Sequence, residues 1–340
     1  MIESDPIERL PLKDLVDMDS RIRQLANRAY KSEFYHKLWK ANKINPNSIK
    51  SVQDLRLLPL FDRKELSTAI KDMKSRVGCV QPNSWFAHLR PPDNYEWFPF
   101  NEADYLGIVP RLRRMAKTTE LKNGDIVLSI VDSAPEISSV LPFLWTTVEA
   151  SEYPKLECIT VSLKWYELLD MTWIDFMQKR RPTILFASTE NALALAKKTS
   201  RDQGIQPREL LPDLRKALLY GEPVEDNRSQ LEKAYNAELH EIYSPQECMS
   251  FSCECIAHAG IHLWLDYMVP EIIVSGEPQL LWDMPEGTVG ELVVTNFADC
   301  LPLIRYRTGE SIMLKGTDVC SCGRTHPRVA RLSKNSASYS

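Results

Sequence analysis

Apolar residues recur at helical spacing through LKDLVDMDSRIRQLANRAY, and Pro46 and Pro59 fall in the connections that follow, so the chain opens as helices with polar punctuation. From Trp85 to Tyr95 the pattern turns irregular, and the Pro91-Pro92-Asp93 cluster marks a loop. The aromatic run Glu96 to Phe100 predicts a short strand. Asn101 then stands as the N-cap of a helix, NEADYLGIVPRLRRMAK, with acidic residues in its first turn. Strand and helix signals alternate after that: GDIVLSIVD is a β-branched run, WYELLDMTWIDFMQKRRP is amphipathic, TILFAS is a buried strand and TENALALAKKTSRDQG is a helix ended by Gly204. LRKALLYGEPV is a strand running into a Gly-Glu-Pro turn.

Strands separated by helices predict a mostly parallel sheet covered on both faces. Beyond residue 240 the pattern changes to short strands with tight turns, in HLWLDYMVPEIIV, TVGELVVTN and LPLIRYRTGESIMLKG, which suits an antiparallel or barrel-like subdomain. The expected organisation is an α/β protein with layered, mostly parallel sheets and a C-terminal β subdomain. It divides into a helical region over 1–80, an α/β subdomain over 81–238, a β-rich subdomain over 239–330 and a disordered tail over 331–340.

Composition narrows the classes. Of 340 residues, 44% are hydrophobic and 26% charged, which excludes a disordered chain. Lys+Arg number 42 against Asp+Glu 46, so no field of one sign recommends nucleic acid or an anionic membrane as partner. The N-terminus, MIESDPIERLPLKDL, lacks the basic stretch and apolar run of a signal peptide, and a cytoplasmic protein is expected. Only 12 residues are glycine, and neither G-x-G-x-x-G nor G-x-x-x-x-G-K-[ST] occurs, so neither a dinucleotide fingerprint nor a Walker loop is present.

The 8 cysteines are too few for a secreted disulfide framework and should be thiols unless a metal organises some of them. Cys320-Ser321-Cys322-Gly323-Arg324 is a C-x-C turn, and Cys255 with His262 forms a C-x6-H pair; together they make the Cys3His set of a closed structural zinc site. Cys253, His258 and His326 are alternative ligands, and the bland alternative is a group of buried thiols beside a core histidine. Cys248 reads as a core cysteine. The aromatic series Trp85, Phe86, Tyr95, Trp97, Phe98 and Phe100 fits either core packing or a pocket for a planar acid, and Arg111 to Arg114 reads as the solvated face of a helix.

Three segments occur in a telling order: Tyr220-Gly221-Glu222-Pro223, Glu241-Ile242-Tyr243-Ser244-Pro245-Gln246-Glu247, and Pro302-Leu303-Ile304-Arg305-Tyr306-Arg307-Thr308-Gly309-Glu310. Their succession resembles the adenylate-forming superfamily, in its phenylacetate–coenzyme A ligase-like branch, and GIHLWLDYMVPEIIV, GTVGELVVTN and CSCGRTHPR extend the resemblance. It implies ATP or AMP as ligand, with Gly221, Glu222 and Pro223 at the adenine, Tyr243 stacked on it, Ser244 and Gln246 beside it, Glu247 holding Mg²⁺, Glu310 on the ribose and Arg307 as a catalytic residue. Each has a bland rival: a common turn, a core aromatic, or a surface ion-pair cluster of Arg305, Arg307 and Glu310.

The sequence departs from that family at three places. HLRPPDNYE stands where a small-residue phosphate loop should be, and its prolines remove backbone donors; Arg90 is a weak substitute contact. Ser244 and Gln246 replace Gly and Thr, and Glu310 replaces Asp. The family's mobile C-terminal domain, which brings a catalytic lysine, is expected to be absent. Two readings follow. The protein activates an acyl or aromatic carboxylate with ATP in a specialised biosynthetic pathway, with the missing domain supplied by a partner protein or not required; or it is a degenerate relative that binds an acyl or aryl ligand or a partner without adenylation, a homodimer being a separate expectation.

Overall fold

The structure, a computed structural model, describes residues 6–10, 17–73, 79, 82, 84–90, 94–131, 156–162, 171–202, 204–245 and 247–333. Its contacts divide the chain into two compact units, and neither is continuous in sequence. One holds residues 109–244 and 251–261 with 1–3; the other holds 4–108, 245–250 and 262–340.

The second unit begins with three helices, α1 (Met18–Ala29), α2 (Glu33–Ala41) and α3 (Arg63–Met73). Each starts where a short polar side chain satisfies an orphan amide. Asp17 accepts from Ser20 N at 3.0 Å, Ser32 accepts from Tyr35 N at 3.2 Å, and Asp62 with Glu65 forms a reciprocal capping box at 2.9 Å. Strands β1 (Ser84–Arg90) and β2 (Asn94–Phe100) follow, paired antiparallel from Ser84 opposite Phe100 to Arg90 opposite Asn94. Within the segment expected to be irregular, Trp85–Arg90 is thus strand, and the Pro91-Pro92-Asp93 loop lies outside the described residues. Trp85-Phe86-Ala87-His88-Leu89 has no clean alternation to announce it, and pairing with β2 supplies the order. Helix α4 (Glu102–Thr118) has the expected cap, with Asn101 accepting from Asp104 N at 3.0 Å. Its basic run is not solvated as expected: Arg114 is buried and Arg111 and Arg113 are half-buried, their stems covered as the helix is packed on more than one side.

The first unit is built on β3 (Ile126–Val131), β4 (Glu157–Ser162), β5 (Ile184–Ser188), β6 (Lys216–Tyr220) and β7 (Glu238–Tyr243). They lie in the order β4-β3-β5-β6-β7, all parallel, and β8 (Ser252–Glu254) adds antiparallel to β7. Helices α5 (Met171–Arg180), α6 (Thr189–Asp202), α7 (Pro207–Leu210) and α8 (Arg228–Tyr235) connect the strands. Leu128, Leu185, Leu219 and Leu239 from the strands meet Leu195, Leu210 and Leu231 from the helices in one apolar core. Gly204, at φ +67°, follows α6 in the left-handed region that favours glycine.

Strand β9 (Ile261–His262) lies at the boundary in sequence. In the second unit β10 (Met268–Ile273), β11 (Gln279–Leu280), β12 (Val289–Asn296), β13 (Tyr306–Gly316) and β14 (Arg328–Arg331) form an antiparallel run, β11-β10-β12-β13-β14. The N-terminal helices close on it. Phe61 bridges to Tyr306, and the Tyr35 hydroxyl donates to Pro302 O at 2.5 Å while accepting from Ile304 N at 3.0 Å. Arg331, placed in the expected tail, belongs to β14, and residues 334–340 lie outside the described residues. Among the described residues no helix is long and apolar enough to cross a membrane.

Candidate functional site

Parallel strands deliver their carboxyl ends to one edge of a sheet, the usual place for a ligand crevice. In the first unit β6 and β7 run in register with Leu219 beside Glu241, so two residues further on Gly221 and Tyr243 emerge from neighbouring strands. Gly221 has φ +86°, which a side chain adopts only with strain. Thr189 at the start of α6 holds the turn, its hydroxyl donating to Glu222 O at 2.8 Å. Gly221 and Glu222 are exposed, whereas Pro223 and Tyr243 are buried, and the Ser244 hydroxyl accepts from Phe251 N at 3.3 Å. Gln246 lies outside the described residues.

Glu247, Arg307 and Glu310 belong to the second unit, and each already has a partner. Glu247 accepts from the Tyr306 hydroxyl at 2.7 Å and faces the Arg63 guanidinium at 3.8 Å. Burial, with the Glu247 charge beside it, pushes the Tyr306 phenol well above its ordinary range, so it stays a donor. Arg307 is paired with Glu291 at 2.6 Å, and Glu310 with Arg331 at 3.0 Å. Arg305, grouped at first with a surface cluster, is instead buried, bonded to Glu271 Oε2 at 3.2 Å and to Leu58 O at 2.7 Å. Its aliphatic neighbours Leu303 and Ile304 draw it into the core, and Glu271 makes that burial tolerable.

The cysteine set converges. Ligand atoms of Cys255, His262, Cys320 and Cys322 lie within 4.8 Å of one another, a group able to hold a metal ion. Gly323, at φ +84°, turns the chain back so that its N–H reaches Cys320 O at 2.7 Å. His262 Nε2 is 3.6 Å from Cys322 Sγ, and its Nδ1 donates to His326 O at 3.3 Å, the arrangement that orients a ligating imidazole. Burial opposes a charged His262, but its hydrogen bonds to Cys320 and Cys322 outweigh this and raise its pKa; the same bond draws the Cys320 thiol down to about 7. Of the alternative ligands, Cys253 and His258 are outside the group. His326 instead accepts from Leu265 N at 3.1 Å through Nδ1.

A second cluster escaped sequence reasoning. Glu238, His240 and His258 bring their ligand atoms within 4.8 Å of one another at the other end of β7, with Lys216 2.8 Å from Glu238. Glu-x-His at two-residue spacing puts both side chains on one face of a strand, the sole local signal, and His258 arrives from a turn eighteen residues later.

Comparison with known proteins places these features. No family model matches the chain. Over 160 residues it is 35% identical to a phenylacetate–coenzyme A ligase of Thermus thermophilus, covering 45% of this chain and 34% of that one. Over 140 residues it is 31% identical to a phenylacetate–coenzyme A ligase of Aromatoleum evansii, covering 40% and 30%. Its fold matches a 2-hydroxyisobutyryl-CoA ligase, in an open conformation with 2-HIB-AMP and CoA, at a TM-score of 0.80 over 96% of this chain and 72% of that one, with 19% identity. Over those segments the chain is similar to phenylacetate–coenzyme A ligases, and it has the fold of a 2-hydroxyisobutyryl-CoA ligase. The match to an adenylation domain of Vibrio cholerae, AlmE, solved with glycyl-adenosine-5'-phosphate, is looser, with a TM-score of 0.51 over 74% of this chain and 48% of that one, at 16% identity. The chain thus covers about a third of the length of the curated relatives. The β1–β2 hairpin occupies the place where the resemblance implies a phosphate loop.

Proposed function

We propose that the protein binds an adenine nucleotide and a small acyl or aromatic carboxylate at the carboxyl ends of β5, β6 and β7, and forms the acyl adenylate. The observation that supports this most is the pairing of β6 with β7, from which Gly221 and Tyr243 emerge as neighbours beside an exposed Glu222. A backbone turn without Cβ next to an aromatic ring suits a purine, and Pro223, Ser244 and Gln246 border it. Glu310 takes the ribose and Glu247 the Mg²⁺. The relatives' names, phenylacetate–coenzyme A ligase and 2-hydroxyisobutyryl-CoA ligase, support an acid as the second ligand. Arg307 sits on β13, exposed enough to contact a phosphate once it leaves Glu291.

The residues at the phosphate end fit ATP less well. Glu247 is engaged by Tyr306 and Arg63, Glu310 by Arg331, and β1 and β2 form a hairpin in the loop's place. These observations favour a second reading, in which the protein holds an acyl or aryl ligand, or a protein partner, without adenylating anything. Calorimetric titration with ATP and with AMP in Mg²⁺, followed by carboxylate-dependent pyrophosphate exchange, separates the two. Binding with exchange supports adenylation; absence of heat from either nucleotide ends it.

For the first metal group we propose structural Zn²⁺ on Cys255, His262, Cys320 and Cys322. All four positions come from the protein, and the glycine turn and the His262–His326 bond are what such a site needs. Metal analysis should find one zinc per chain that resists dialysis. A reducing, cytoplasmic setting suits these thiols.

A further inference from the structure

We propose that Glu238, His240 and His258 form a second, open metal site for a divalent borderline cation of the zinc class, independent of the nucleotide reading. Glu238 Oε1 stands 3.0 Å from His258 Nε2 and 3.3 Å from His240 Nε2. Donors about 2.0–2.1 Å from a tetrahedral zinc ion lie roughly 3.3 Å apart, so the cluster already has the spacing of a coordination shell. Two imidazoles and one carboxylate select zinc, nickel, copper or cobalt over calcium or magnesium.

The supporting groups are built in the same way. Glu238 Oε2 is turned to Lys216 Nζ at 2.8 Å, which leaves Oε1 for the cation. Behind His258 lies Glu254, 3.8 Å from Nδ1, itself fixed by two bonds from Arg228 at 2.9 and 2.8 Å and one from Glu241 N at 3.0 Å. A carboxylate behind a ligating histidine orients the ring. His240 is fully buried, and its Nδ1 makes no hydrogen bond. Its Nε2 faces both the Lys216 ammonium at 3.2 Å and the Glu238 carboxylate at 3.3 Å. A ring nitrogen accepts from the first or donates to the second; it cannot do both. A cation that takes lone pairs from Nε2 and Oε1 together removes the conflict, with Lys216 retained on Oε2.

Glu238 and His258 are each about one-third exposed, so a water can complete the shell from outside. The site also shares a turn with the first metal group. His258 N donates to Cys255 O at 3.0 Å, so one short turn carries a ligand of each centre. Lys216 and Arg228 bring positive charge close by, offset by Glu238 and Glu254, so the ion should exchange readily where the Cys-rich centre holds its own tightly.

The test is titration of the protein, as purified, with Co²⁺, followed by calorimetry and absorbance. We expect one equivalent that binds without a thiolate-to-metal charge-transfer band, and its affinity should fall at least tenfold in each of His258→Ala and Glu238→Gln, on the scale of lost metal-site partners. Both side chains are partly exposed, so the variants should fold, which circular dichroism checks. Any thiolate-bound equivalent should be unchanged. If no thiolate-free equivalent binds, or if it binds both variants as tightly as the parent, the proposal is wrong.

Discussion

The two units hold themselves together differently, and the difference decides where chemistry is available. In the parallel-sheet unit the core is apolar, built from residues such as Leu185, Leu219 and Leu239, and polar side chains collect at the strand ends. There Gly221 and Glu222 at one end, and Glu238 and His258 at the other, retain solvent exposure. The antiparallel unit is knit instead by buried polar groups. Arg305 is tied to Glu271, Arg324 to Glu8, and the Asp104 carboxylate accepts from Asp299 N and Cys300 N. Residues there that resemble a nucleotide site are already engaged, as Glu247 is by Tyr306. The parallel sheet pairs its charges at the strand ends, around an apolar core; the antiparallel unit pairs some of them deep inside.

The comparison breaks most visibly at Arg305. Arg305→Ala strands the buried Glu271 carboxylate, and about 3–5 kcal/mol of stability should be lost in urea unfolding. Replacing both partners together by Met and Leu should recover much of that, because the pair's desolvation disappears with it. In the other unit Leu219→Ala leaves a void between strand and helix and should cost about 2–5 kcal/mol by the same measurement. A recovery with two apolar residues at 305 and 271 alongside an uncompensated loss at Leu219 would confirm the contrast; equal behaviour at both would erase it.

Smaller effects sharpen the picture. Gly221→Ala puts a Cβ on a left-handed backbone and should cost about 1–2 kcal/mol, with any nucleotide binding weakened further. Asp104 and Glu271 answer to pH. Burial raises both carboxyl pKa values, against hydrogen bonds at Asp104 and the Arg305 charge at Glu271. A folded pKa above the unfolded one adds stability that is present below the unfolded value and is lost as pH rises through the folded one. The stability gap between the parent and Asp104→Asn should therefore widen as pH falls from 7 towards 4; a gap that narrows would contradict the burial argument. Least affected is Arg307→Ala, whose exposed pair with Glu291 should be worth about 1 kcal/mol or less, so a larger loss of ligand binding than of stability would point to a role beyond the sheet.

The strands and helices from Ile126 to Asp202 that carry strong periodicity were legible, as were the Asn101 cap and the glycine stop after α6. Strands β4 and β7 were not, because Glu157 and the Glu238, His240 and Glu241 of ELHEIY mask a strand whose polar residues are accommodated by partners. The β1 strand escaped for want of alternation. In the sites, Cys255, His262, Cys320 and Cys322 could be grouped by residue type alone, since few side chains bind metal and these occur in two short segments. Glu238, His240 and His258 could not, since ordinary residue types at wide spacing carry no signal until a turn returns one of them.

Local sequence therefore determined the helices, most of the strands, the Gly-Glu-Pro turn at 221–223 and the likeness to phenylacetate–coenzyme A ligases, because periodicity, caps and motifs act over a few residues. Tertiary structure alone decided that the N-terminal helices join the C-terminal strands, that Arg305 is buried and that Glu247 is held by Tyr306. These depend on residues tens to hundreds of positions apart, and such pairings form only when burial across the whole chain offsets the entropy of bringing them together.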